Sequence, residues 1–181
     1  IVEFGIGNAR KVSPLLTAIR PSTFVALDIS QAALRDSLTS LASTYPKLAI
    51  LGICCDHSSM QALPPHPRLE GVRCIGFFPG SSLGNFTPKE AVAVLRRFRQ
   101  LLDGGPLLLG LDQPRDPTQL EAAYNDAAGI SAAFARNLLH RLNRELQADF
   151  RPDLFSYRAH WQEEFHRIEM ALVSRCSQTI V

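Results

Sequence analysis

The sequence predicts an α/β protein built on a parallel, doubly wound sheet, and three observations carry that prediction. Apolar segments of strand length alternate with helical ones. The first strand runs into a glycine turn, EFGIGNARK, and acids stand just past the ends of later strands at Asp28, Asp56 and Asp112. Right-handed crossovers would gather those carboxyl ends on one rim, where open α/β sheets bind ligands.

The elements follow in order. Ile1 to Gly5 reads as a strand, and Val12 to Ile19 as a helix stopped by Pro21. Thr23 to Leu27 is a second strand, and Ser30 caps a helix running to about Tyr45. Leu48 to Cys55 is a third strand. A proline-rich surface loop, Leu63 to Pro67, precedes a fourth strand from Arg73 to Phe78 that ends in FFPGSSLGNF. Thr87-Pro88-Lys89-Glu90 has the form of a capping box with proline at the first helical position, and its helix continues to Leu102. Arg96, Arg97 and Arg99 read as its solvated face. Asp103-Gly104-Gly105 breaks the helix, and Pro106 to Leu111 is a fifth strand. From Asp116 the rhythm changes: Gln119 to Gln147 is mostly helical with a break near Gly129, and Arg167 to Val173 alternates as a strand does. This part reads as the start of a second lobe.

Composition narrows the function classes. A net charge of +2 from 19 basic and 17 acidic residues, without a Lys/Arg run, argues against a nucleic-acid partner. No apolar run approaches the roughly 18 residues of a membrane span, so no membrane partner is expected. Cys54, Cys55, Cys74 and Cys176 form neither a CxxC pair nor a Cys/His cluster; no metal site is expected, and the thiols should be reduced and mostly buried, as in a cytoplasmic protein. The chain opens inside an apparent strand without an initiator Met and stops in another, so it is expected to be part of a longer protein.

The rim residues suggest a nucleoside site. The GxG of the first turn suits a tight turn as well as a ligand loop, and Arg10 stands where the dinucleotide fingerprint has its third glycine, which disfavours NAD. Asp28, 21 residues beyond Gly7, is placed to accept both hydroxyls of a ribose. Asp56 suits an adenine amine or a helix N-cap.

Taken together, EFGIGNARK, ALDIS, the acid after strand three, FFPGSSLGNF and LEAAYNDAAGISAAFARNLLHRLNRELQADF resemble the bacterial histidine-specific N-methyltransferases of ergothioneine biosynthesis, over essentially the whole chain. The resemblance implies a Rossmann-like, class I S-adenosylmethionine-dependent methyltransferase sheet over 1–115 and part of a substrate-binding lobe over 116–181. Gly5 and Lys11 would hold the methionine part of S-adenosylmethionine, with Gly7 in the same turn. Asp28 would hold its ribose, and Asp56 with His57 its adenine, although His57 replaces a more usual Phe. Asn85 and Tyr124 match residues that bind the amine and carboxylate of the amino acid, and Met170 one that lines the substrate cavity. The implied product is the trimethylated betaine of histidine, made by a cytoplasmic enzyme expected to be a monomer. Another acceptor amino acid, such as a tryptophan derivative, and a non-catalytic cofactor-binding module are the alternatives. His140, His160 and His166 fit no metal or acid–base pattern, and the turn from Asn125 to Gly129 suits a helix cap as well as a site.

Overall fold

A computed structural model describes residues 1–113 and 115–181. They form two units, Ile1–Asp112 and Gln113–Val181.

In the first unit, β1 (Val2–Phe4), α1 (Ser13–Ile19), β2 (Thr23–Asp28), α2 (Gln31–Thr44), β3 (Ala49–Cys54), β4 (Gly76–Phe78), α3 (Pro88–Leu101) and β5 (Leu107–Leu109) follow one another. The strands pair in parallel in the order β3-β2-β1-β4-β5. The chain moves outward from β1 through β2 to β3, then crosses back to lay β4 on the other side of β1. That reversal is a topological switch point, and it opens a crevice beyond the carboxyl ends of β1 and β4.

Alternation along β1 sends side chains to two cores. Val2 and Phe4 join Val25, Leu27, Phe78 and the buried stripe of α3, Val94, Phe98 and Leu101. Phe4 stacks on Phe98 with centroids 3.7 Å apart and planes 12° from parallel, and Phe78 meets Phe98 edge-on at 5.0 Å. On the other face Phe24, Ala26 and Phe77 pack with Val12 just before α1, Leu16 on it, and Leu34 and Leu41 of α2.

The helix starts follow their caps. Ser30 Oγ accepts the N–H of Ala33, and the Thr87–Glu90 capping box is complete in both directions. The fourth strand is shorter than the sequence suggests: its ladder begins at Gly76, level with Val2 and Leu107 on either side, so the preceding residues have no two-sided pairing. The fifth also ends early: Gly110 N–H still donates to the Phe78 carbonyl at 3.0 Å, but its own carbonyl accepts the N–H of Ser81, in the loop after β4, at 3.1 Å. Two expectations about side chains need correction. Arg97 is half-buried and reaches the carbonyl of Met60 at 3.5 Å, so α3 has a smaller solvated face. All four thiols are free as expected, but Cys54 and Cys176 are exposed rather than buried.

The second unit comprises α4 (Pro117–Tyr124), α5 (Ile130–Leu146) and an antiparallel hairpin of β6 (Phe155–Gln162) and β7 (Arg167–Ser174). Asp126 settles the break between the helices: its two carboxylate oxygens accept the N–H groups of Ile130 and Ser131, each at 2.8 Å, and hold its own pKa at about 2. The stretch from Asn125 to Gly129 is thus a helix cap. Sequence inspection missed β6, although FSYRAHWQ alternates Phe155, Tyr157, Ala159 and Trp161 with polar residues and carries the period-2 signal.

Candidate functional site

The glycine turn and the FFPGSSLGNF loop follow β1 and β4, the two strands that flank the switch point. Gly5 and Gly7 have φ of 77° and 52° and fold the chain back over the strand ends. Both the N–H of Gly5 and that of Ile6 reach the carbonyl of Leu27, at 2.8 and 3.1 Å, which ties the turn to β2. The Gly7 N–H instead meets a carboxylate: Asp28 Oδ2 accepts it at 2.9 Å, and Asp28 Oδ1 accepts Ser30 N–H at 2.8 Å.

Gly80 shows why the opposite loop needs glycine. Its φ is 80°, and a Cβ there would lie 2.5 Å from Lys11 Nζ, so the lysine occupies the space a side chain would need. Lys11 thereby spans from the end of the glycine turn to the loop after β4. Ser81 follows with φ of 59°, left-handed without being glycine, and leads into the 3₁₀ turn Ser82–Asn85 that carries Asn85 exposed at its end.

The sequence reading passed over Glu3. It sits in the middle of β1, 1% exposed, between Ala26 and Phe77 on the neighbouring strands. Neither carboxyl oxygen has a hydrogen-bond partner. Burial lifts its pKa to about 8, with the Lys11 ammonium opposing that rise and the Asp28 carboxylate adding to it. A carboxyl inside the otherwise apolar strand VEF was the available signal: buried acids are rare unless they serve something.

The remaining predicted residues fall in different environments. Asp56 is exposed, and its Oδ1 accepts both the N–H and the hydroxyl of Ser58, at 2.8 and 2.6 Å, which holds its pKa low and leaves the second oxygen free for a ligand. His57 turns inward. Its ring meets Phe4, Phe78 and Phe98 edge-on at 6.3, 5.8 and 5.7 Å, with Nδ1 buried and unpartnered, and burial depresses its pKa. Its Nε2 lies 3.5 Å from the place a Cβ on Gly5 would take, so the imidazole floors the turn. These contacts tie Asp28 and His57 to the turn that carries Gly5 and Gly7, while Lys11 reaches from the end of that turn to Gly80.

In the second unit, Tyr124 ends α4 with its side chain exposed, and its carbonyl accepts the hydroxyl of Tyr157 at 2.5 Å. Glu121, one turn earlier, accepts Trp161 N–H at 2.7 Å and contacts His160 Nδ1 at 3.1 Å, so two anchors pin α4 to β6. Met170 is exposed on β7, opposite Ala159. Among the described residues no group of three or more His, Cys, Asp or Glu side chains could hold a metal ion, and no helix is long and apolar enough to cross a membrane.

A family model described as histidine-specific, SAM-dependent methyltransferase matches residues 1–181. The chain is 37% identical to the histidine N-alpha-methyltransferase of Mycolicibacterium smegmatis, over 99% of this chain and 56% of that protein. It is 36% identical to the protein of the same name from Mycobacterium tuberculosis, over 95% and 54%. Ergothioneine biosynthesis protein 1 of Schizosaccharomyces pombe is 32% identical over 79% of this chain and 20% of its own length. The chain thus spans about half the length of the mycobacterial relatives.

Proposed function

The chain belongs to the histidine-specific, SAM-dependent methyltransferase family, and from that premise we propose that its protein transfers methyl groups from S-adenosylmethionine to the α-amine of histidine, up to the trimethyl betaine, as a step of ergothioneine biosynthesis. The first unit is the cofactor domain and the second belongs to the substrate-binding lobe. The protein acts as a cytoplasmic monomer on a small amino acid.

The observation that carries this reading is the pair of carboxyl groups flanking the glycine turn. Glu3 is a buried acid whose two oxygens lack partners, a condition that an ammonium group arriving from the rim would relieve. Asp28 is held by one N–H on each oxygen, and each oxygen keeps a lone pair for a ribose hydroxyl. A nucleoside bearing an amino-acid ammonium fits both. S-adenosylmethionine supplies, when bound, a methyl group activated by its sulfonium.

The chain's own groups do the rest. Gly5 and Gly7 admit the ligand close to the backbone, Lys11 offers an ammonium to its carboxylate, and Asp56 keeps an oxygen for its adenine over the floor made by His57. Asn85 and Tyr124 orient the acceptor amine and carboxylate, because an amide and a phenol can each donate and accept without adding a charge that repels the sulfonium. Alignment of amine, methyl and sulfur is the main catalytic contribution such a site makes. The amine must be neutral to attack, and desolvation beside a cation lowers its pKa toward that state.

Calorimetry on the full-length protein with S-adenosylmethionine and with NAD, followed by mass spectrometry with the twenty amino acids, tests the proposal. Binding of S-adenosylmethionine and mass gains of one to three methyl groups on histidine are expected. Tight NAD binding without a response to S-adenosylmethionine overturns the chemistry, and methylation of tryptophan but not histidine overturns the substrate.

A further inference from the structure

Ser37 lies on the inward face of α2 between Leu34 and Leu41, a buried hydroxyl among apolar side chains. It donates to the carbonyl of Gly7 at 2.8 Å, across 30 residues of sequence. The N–H of the same Gly7 goes to Asp28 Oδ2, and the other oxygen of Asp28 takes the N–H of Ser30, which caps α2. These bonds close a ring: Asp28 to Gly7, Gly7 to Ser37, Ser37 along two turns of α2 to Ser30, and Ser30 back to Asp28.

Gly7 is the soft member of that ring. Without a Cβ its backbone is conformationally permissive, and it stands at φ 52° with open space where a side chain would be, whereas Gly5 and Gly80 are backed by His57 and Lys11. Local sterics therefore do not set the orientation of its flanking peptides; the partners of its N–H and carbonyl do. Asp28 holds the first and Ser37 the second. Releasing the carbonyl would let the turn rotate, loosen the N–H from Asp28, and leave that carboxylate fixed from the Ser30 side alone.

We propose that Ser37 is a positioning residue for the cofactor: through Gly7 its hydroxyl fixes the Asp28 carboxylate in the orientation that receives the ribose hydroxyls. This rests on the cofactor reading of the rim given above. Ser37 is buried and reaches the rim through the Gly7 carbonyl, so the effect of losing it is expected on cofactor affinity.

The test uses the full-length protein with Ser37→Ala and Ser37→Cys, the second of which keeps the volume but is a weak donor. Affinity for S-adenosylmethionine, measured by calorimetry, is expected to fall about tenfold in Ser37→Ala, the size expected when a carbonyl loses its buried donor. Turnover at saturating cofactor and the KM for the amino acid should stay within about twofold, a split that general destabilisation would not give. Hydrogen exchange at the Gly7 amide, followed in the cofactor-free protein, should quicken in both variants. Unchanged cofactor affinity in a folded Ser37→Ala overturns the proposal. If that variant does not fold, unchanged affinity and Gly7 exchange in Ser37→Cys overturn it instead. A wild-type protein that fails to bind S-adenosylmethionine would refute the functional reading, while Gly7 exchange still reports whether Ser37 sets the turn.

Discussion

Gly7 donates its backbone N–H to the carboxylate of Asp28 at 2.9 Å, joining the turn after the first strand to the end of the second. The bond makes Asp28 both a strut of the rim and its proposed ribose acceptor. Asp28→Asn keeps the shape but turns one oxygen into a donor, which must then face either the Gly7 or the Ser30 N–H. Affinity for S-adenosylmethionine should drop at least about tenfold, with Ser30 capping retained. Calorimetry on the variant checks it, and a wild-type affinity would remove Asp28 from the site.

Glu3 predicts a pH dependence of opposite sign to that of an ordinary paired carboxylate. Its pKa is raised on folding from 4.5 to about 8, so between those values the folded chain holds a proton that the unfolded chain has lost. The stability this proton contributes is complete below about pH 4.5 and is lost as pH rises through about 8. Glu3→Gln should flatten that decline. Thermal melts of both proteins from pH 5 to 9 without cofactor measure it, and parallel curves would show that Glu3 is ionised throughout.

Phe98 stacks on Phe4 and meets the edges of Phe78 and His57. Phe98→Ala removes the centre of that cluster and should cost about 3–5 kcal/mol, the usual range for a fully buried aromatic. Urea denaturation gives the value. A loss below about 1 kcal/mol would mean that the cluster collapses around the gap.

Asn85 stands exposed on the loop after β4, where its amide is open to a ligand. Asn85→Ala should weaken histidine binding about tenfold or more, because hydrogen bonds to a charged amino acid are among the stronger ones, and should leave S-adenosylmethionine affinity unchanged. Full turnover with unaltered histidine KM would exclude Asn85 from substrate binding.

Tyr157 holds the carbonyl of Tyr124 through its hydroxyl. Tyr157→Phe keeps the ring and removes the donor, at a cost of about 1 kcal/mol. If Tyr124 binds the amino acid, the KM for histidine should rise several-fold while cofactor affinity holds. Equal effects on both ligands would point to a general loosening instead.

Much of this was legible in the chain. Buried parallel strands appear as short apolar runs, and the caps at Ser30 and Thr87 lie within three residues of the N–H groups they satisfy, so Thr23–Asp28, Gln31–Thr44 and Pro88–Leu101 could be placed closely. The shortness of β4 and β5 was hidden because a strand ends where its neighbours stop pairing, which is a property of other segments. The hairpin strand β6 had its alternation in plain view.

The sequence by itself determined the order of strands and helices, the glycine turn, and the acids that end the strands, because these depend on residues near one another in the chain. Only the tertiary structure decided what those residues meet. Glu3 is unpartnered because Ala26 and Phe77 flank it, His57 turns inward because three phenylalanines from β1, β4 and α3 converge on its ring, and Ser37 bonds to the rim because α2 folds back over Gly7. Each of these environments is made by segments distant in sequence, and their packing fixes burial and hydrogen-bond partners that local preference leaves open.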